Sequence, residues 1–156
     1  MNDAALNATA APGWRQAWNR IADRVDSLIS HTLIALAARF GVGAVFFYSG
    51  RTKVDGLLAV NDNALTLFEE EYKVPLLPPE IAAYLATYAE HLFPLLLALG
   101  LATRLSALGL LAMTAVIQVF VYPSAWPTHL TWAVGLLYLA GRGGGALSLD
   151  RLFGIR

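Results

Sequence analysis

Four apolar runs divide the chain, and each confines its polar residues to a few positions. Leu33–Gly50 spans 18 residues with one charge, Arg39. Ile81–Ala102 spans 22 residues and carries Glu90 and His91 at its middle. Leu105–Tyr122 spans 18 residues with no charge and one amide, Gln118. His129–Gly141 is shorter and opens on a histidine. A helix needs about 20 predominantly apolar residues to cross a bilayer core. The first three runs meet that length. The fourth falls short, with Trp126 or Trp132 as its interfacial anchor. An ionised group facing lipid costs at least about 2.5–3.5 kcal/mol. Arg39 and Glu90 are therefore expected to face the interior of a bundle. The pattern predicts an all-α integral membrane four-helix bundle, with spans near 32–53, 80–102, 105–122 and 128–141.

Ahead of the first run the periodicity changes. Trp14, Trp18, Ile21, Val25 and Leu28 recur at spacings of three and four, with Arg15, Arg20, Asp23, Arg24 and Asp26 on other faces. This predicts an amphipathic helix lying in the membrane interface, its tryptophans at headgroup level. Residues 1–30 also lack the basic start and apolar core of a signal peptide. The chain thus reads as an N-terminal segment, 1–30, and a four-helix membrane domain, 31–156.

Basic residues set the orientation. With the N-terminus inside, the inner segments hold Arg15, Arg20, Arg24, Arg104, Arg142, Arg151 and Arg156. The outer segments hold only Arg51, Lys53 and Lys73. This bias predicts an N-in, C-in, multi-pass protein. A tight turn near Thr103–Arg104 joins runs two and three, and Pro123–Thr128 joins runs three and four. Residues 54–79 form a long outer loop, and loops of that length are usually functional. Within it a short amphipathic helix is expected over about Asn63–Tyr72, followed by an extended Val74–Pro79. The segment reads either as a lid over the bundle or as a plain interfacial helix.

The polar residues form a candidate site. Arg39, Phe46 and Lys53 are spaced by seven, with Gly43 and Gly50 on nearly the same stripe, so the packed face of helix one also carries its cations. On helix two, Tyr84, Tyr88 and His91 share a face, and Glu90 lies about 100° round from His91. Pro94 removes the hydrogen bond to the Glu90 carbonyl and should kink the helix. Either Arg39 or Lys53 is within reach of Glu90, and the Lys53 stem should run back toward the N-terminus of its helix. Lys53, Tyr84, Tyr88, His91, Gln118, Tyr122 and His129 fall in the outer half, predicting a polar funnel with Glu90 at its base. The structural alternatives are an Arg39–Glu90 ion pair that only sets register and tyrosines that only mark the aromatic belt. The histidines lack ligand spacing, and no metal site is read.

Composition narrows the function. Of 156 residues, 57% are hydrophobic, and 11 basic residues balance 11 acidic ones. Zero net charge leaves no electrostatic footprint for nucleic acid. There is no cysteine, which excludes disulfides, thiol relays and cysteine-ligated clusters.

Arg39-Phe-Gly-Val-Gly-Ala-Val-Phe-Phe-Tyr-Ser-Gly-Arg-Thr-Lys53, then Glu90, Leu99-Gly-Leu-Ala-Thr-Arg104 and Gly141-Arg-Gly-Gly-Gly-Ala-Leu-Ser-Leu-Asp150 occur in the order and spacing of one family. The chain resembles the DoxX family of small bacterial four-helix membrane proteins over about residues 33–153. Glu71-Tyr-Lys-Val-Pro-Leu-Leu-Pro-Pro79 and Gln118-Val-Phe-Val-Tyr-Pro-Ser-Ala-Trp-Pro-Thr-His129 resemble the branch that accompanies secreted metal-binding peptides. The resemblance implies a link to metal homeostasis or oxidative stress, and the wider family includes subunits associated with thiosulfate:quinone oxidoreduction. The expected function is an inner-membrane accessory subunit of such a redox system, working with a partner redox protein. Quinone is the candidate cofactor. Glu90 would be the proton relay, and Arg39, Lys53, Tyr84, Tyr88, His91, Gln118, Tyr122 and His129 would be the binding residues. The competing reading is a non-enzymatic assembly factor or carrier that docks a secreted peptide on Glu69–Glu71. Apolar faces on helices three and four suit a homodimer or membrane lipid equally.

Overall fold

A computed structural model describes residues 12–155. The first eleven residues, counted above in the N-terminal segment, and Arg156, counted among the basic residues, lie outside the described residues. The chain divides into two units, Met1–Ser30 and His31–Arg156. In the first, α1 runs Gly13–Leu28 and buries no residue. Its stripe of Trp14, Trp18, Ile21, Val25 and Leu28 is wholly exposed.

The second unit is built on four long helices: α2 (His31–Arg51), α4 (Pro79–Leu99), α5 (Thr103–Val116) and α6 (Trp126–Arg142). A π-helical turn, Ile117–Val121, prolongs α5. The three segments His31–Arg51, Pro79–Leu99 and Thr103–Val121 are long and apolar enough to cross a membrane. At 17 residues, α6 is shorter. The helices form a closed ring, with α2 against α4, α4 against α5, α5 against α6 and α6 back against α2. Ala35, Val42, Phe46, Leu97, Ala107, Leu110, Leu136 and Leu139 fill the centre. Large apolar side chains such as Phe40, Leu92, Leu108 and Leu137 point outward. So large an apolar exterior does not suit water, and it suits lipid.

Glycine sets the closest approach. A Cβ on Gly50 would lie 2.9 Å from the His91 ring and 3.0 Å from Glu90 Cβ, and one on Gly43 would lie 3.7 Å from the Pro94 carbonyl. Small residues on one stripe of α2 thus let α4 approach closely.

Of the two cations expected within reach of Glu90, Arg39 is not the one that pairs with it. Its Nε donates to the Leu97 carbonyl at 2.6 Å and Nη2 to the Ala98 carbonyl at 2.7 Å. Its Nη1 donates to the carbonyls of Gly144 at 3.0 Å and Leu147 at 2.6 Å. Leu97 and Ala98 lie in the last turn of α4, where carbonyls have unused acceptor capacity and the macrodipole is negative. Arg39 therefore caps α4 and ties it to the segment after α6. Asp150 does a related task. Ala102 has no side chain that could cap α5, and the Asp150 carboxylate accepts from Ala102 N at 2.7 Å and Thr103 N at 2.8 Å instead. Asp150 lies in the first turn of α7 (Leu149–Leu152), whose N-cap is Ser148.

Between α2 and α4 the chain first makes a small hairpin that the sequence reading did not anticipate. Its strands are β1 (Val54–Asp55) and β2 (Ala59–Val60). Arg51 braces the hairpin tip through the carbonyls of Gly56 and Leu57, both at 2.8 Å. Then α3 (Asp62–Thr66) begins on an Asn61 cap that accepts from Ala64 N at 2.9 Å. It passes into a second π-helical stretch, Leu67–Tyr72, which ends on Lys73 in a left-handed conformation. Phe68 from this stretch packs on Ala82 and Ala83 of α4.

Candidate functional site

The Lys53 end of the bundle contains a cavity of about 160 Å3. Its base is the pair formed by Lys53 Nζ and Glu90 Oε2, 2.7 Å apart, with each side chain 5% exposed. The Lys53 stem folds back along α2, as its position requires, so that Nζ also donates to Ser49 Oγ at 2.8 Å and the Ser49 carbonyl at 3.2 Å. The three ammonium protons thus have three acceptors. Ser49 Oγ in turn donates to Glu90 Oε1 at 3.3 Å. A buried pair whose hydrogen-bonding capacity is so fully used is the arrangement that offsets desolvation.

The walls are aromatic and aliphatic, chiefly Phe46, Phe68, Tyr72, Ile117, Tyr122 and Trp132. Both π-helical stretches contribute to this lining. π turns are rare and concentrate at functional sites. At the mouth, Tyr122 Oη donates to Glu71 Oε1 at 2.5 Å, and the Tyr72 and Tyr122 rings stand edge to face at 5.7 Å. The Glu71 carboxylate, and then burial, hold the Tyr122 hydroxyl above the ordinary tyrosine range. Burial does the same to Tyr72.

His129 completes the site from α6 and is 5% exposed. Gln118 Nε2 donates to the Pro123 carbonyl at 2.9 Å. Gln118 Oε1 is thereby left to accept from His129 Nδ1, 2.7 Å away. This fixes the tautomer, with the proton on Nδ1 and Nε2 the accepting nitrogen. His129 is also the one residue shared with a second recess of about 290 Å3 between α5 and α6, lined by Gln118, Trp126 and Leu130.

Of the expected site residues, Lys53, Glu90, Tyr122 and His129 line one cavity, and Gln118 stands behind His129. The others lie elsewhere. Arg39 is bound at the opposite end of α2. Tyr84 and Tyr88 are 37% and 44% exposed on the outside of α4. His91 is buried, but its Nδ1 donates to the Thr87 carbonyl at 2.7 Å and its ring stands edge to face on Phe47. Of the expected funnel, with Glu90 at its base, the α4 residues Tyr84, Tyr88 and His91 are absent from the cavity lining, and the stripe of α4 that faces the cavity is Ala86 and Glu90. Ser49, Tyr72 and Trp132 were not anticipated. Ser49 was detectable, because it lies one helical turn before Lys53.

The DoxX family model matches residues 34–123. The chain belongs to the DoxX family. This DoxX protein is also 32% identical over 127 residues to an uncharacterized protein of Haemophilus influenzae, covering 75% of this chain and 81% of that one. No solved structure matches it. The family match spans α2, the segment bearing both mouth residues Glu71 and Tyr72, α4 and α5. It thus contains Lys53, Glu90 and Gln118 but ends before His129.

Proposed function

We propose that this DoxX protein is an accessory subunit of a redox or metal and oxidative-stress system, and that its cavity receives a quinone-type ring. The observation that carries the reading is one small aromatic-walled cavity that holds both a buried ion pair and a tautomer-fixed imidazole. A cavity of about 150 Å3 accommodates a benzene-sized ring. Lys53 Nζ is placed to donate to a ring carbonyl oxygen in exchange for one of its present acceptors. Glu90 is the group that takes up or returns a proton, and His129 Nε2 is a second acceptor. The recess between α5 and α6 offers an apolar ligand a lateral way in past His129. Electrons come from a partner redox protein in this reading. The bias of basic residues supports four spans in a bacterial inner membrane, N-in and C-in.

Titration of the purified protein with decyl-ubiquinone tests this. Saturable binding is expected, weakened at least tenfold by Lys53→Met and by His129→Phe, and unchanged by Tyr88→Phe on the outer face. Binding that all three variants retain would place the ligand elsewhere. A second reading rests on Glu69, Glu70 and Glu71, a run of carboxylates exposed at the cavity mouth. Absence of quinone binding, together with capture of a cationic secreted peptide that is lost in Glu69→Gln/Glu70→Gln, would favour a docking role.

A further inference from the structure

A large recess lies at the Arg39 end, away from the cavity that holds Lys53. It measures about 810 Å3. Its walls come from the start of α2, the turn from α4 into α5, and the glycine-rich segment that follows α6. The first residue of α2, the last of α4, the first of α5 and the last of α6 all lie at this end. The recess therefore opens where membrane helices end, at headgroup depth.

Its charge is one-sided. Arg104, Arg142 and Arg151 line it, with His31 and Asp150 as the other titratable groups. Asp150 uses both carboxylate oxygens on the backbone N–H groups of Ala102 and Thr103. His31 Nδ1 is engaged with Tyr138 Oη at 2.7 Å. Half-buried Arg104 commits only Nη1, which donates to the carbonyls of Ala140 at 2.6 Å and Gly141 at 2.7 Å. Its Nε and Nη2 face Gly143, where a Cβ would stand 3.8 Å from both and where φ is +78°. A side chain at position 143 would thus stand against that edge of the guanidinium. The Arg142 and Arg151 side chains are exposed and form no ion pair among the described residues. Leu105 and Ile155 line the recess with exposed apolar side chains, and Leu147, Leu152 and Phe153 are exposed in the adjoining segments.

We propose that this recess binds the phosphate of an anionic phospholipid from the adjacent leaflet. Guanidinium forks match phosphate oxygens in pairs. The three arginines outnumber the one carboxylate, whose oxygens are turned to the backbone N–H groups of Ala102 and Thr103, and the apolar rim provides the contact that acyl chains need and a free phosphate does not. Basic pockets between membrane helices hold such headgroups.

The test is native mass spectrometry of the full chain in detergent, titrated in separate arms with phosphatidylglycerol, phosphatidylcholine and inorganic phosphate. Retention of phosphatidylglycerol over phosphatidylcholine is expected, with no competition from inorganic phosphate. Arg142→Gln/Arg151→Gln should weaken retention about fivefold per arginine removed, and Arg142→Lys/Arg151→Lys, which keeps the charge without the fork, should restore only part of it. Arg51→Gln/Lys73→Gln removes the same charge at the other end of the bundle and should leave retention unchanged. Equal loss in that control would mean that net charge alone attracts the lipid, and would overturn the site. Equal retention of the two lipids would do the same. Competition by inorganic phosphate would replace the lipid with a free anion. Arg104 is left intact because it holds the end of α6, and circular dichroism of each variant checks the fold.

Discussion

Arg39 in α2 and Lys53 in the turn just after it are both buried cations, yet their partners differ in kind. Lys53 meets a carboxylate and a hydroxyl, whereas Arg39 meets only carbonyls. Arginine suits that role because its rigid fork donates in several directions from one position. Lysine suits the other, since its point charge can be drawn from one acceptor to another. Removing one member of a buried pair leaves the other uncompensated and costs about 3–5 kcal/mol. Lys53→Met is therefore expected to lower stability by that order in denaturant unfolding from detergent. Lys53→Met/Glu90→Leu should recover most of the loss. Full additivity of the two changes would show that the residues do not act as a pair.

The two π-helical stretches meet across the cavity mouth, one ending on Tyr72 and the other leading into Tyr122. Tyr122 and Glu71 join them by a single hydrogen bond. That bond fastens Leu67–Tyr72 over the cavity. Tyr122→Phe should raise backbone hydrogen exchange in 67–72 several-fold while leaving α4 and α5 protected. An unchanged exchange profile would show that Phe68 packing alone holds the segment. The same contact has a pH signature. The folded state raises the Tyr122 hydroxyl above its unfolded value, so the stabilisation is complete below the ordinary tyrosine value of about 10. It is lost as pH rises through the raised value. Wild-type protein should therefore lose protection in 67–72 at alkaline pH, and Tyr122→Phe should not show that step.

The bundle as a whole is asymmetric from end to end. One end holds the small cavity with its ion pair, and the other holds capped helix ends and three arginines around an open recess. With the function and lipid site proposed above, such a division would put the chemistry on one side of the membrane and the basic anchor on the other. A reporter fused after Arg156 should be cytoplasmic, and one inserted at Asn63 should be external. The reverse pattern would invert the assignment of the two ends. With 17 residues, α6 spans about 25 Å, less than a typical hydrocarbon core. Its Trp126, 60% exposed, stands at the Lys53 end, where an interfacial anchor belongs.

Much of this was legible along the chain. Long apolar runs can only be membrane or core helices, and the desolvation cost of Arg39 and Glu90 already required both to turn inward. The backward reach of Lys53 followed from the direction of Cα–Cβ bonds on a helix. Helix two was harder to read, because Glu90 and His91 are adjacent and only packing decides which of the two stripes faces inward. Tight contact at Gly50 set that rotation, leaving Tyr84 and Tyr88 outside. The choice between Arg39 and Lys53 depended on the antiparallel register of α2 and α4. Ten residues separate Arg39 from Ser49, about 15 Å along the axis, which puts Arg39 out of reach of Glu90. The acceptors that Arg39 found are backbone carbonyls, which every residue carries and no sequence pattern marks. Tyr72 and His129 come from segments far apart in the chain, and only closure of the ring brings them to one cavity. Burial cost is a property of each residue and is written locally; the pairing of buried groups is a property of register and rotation, and exists only in three dimensions.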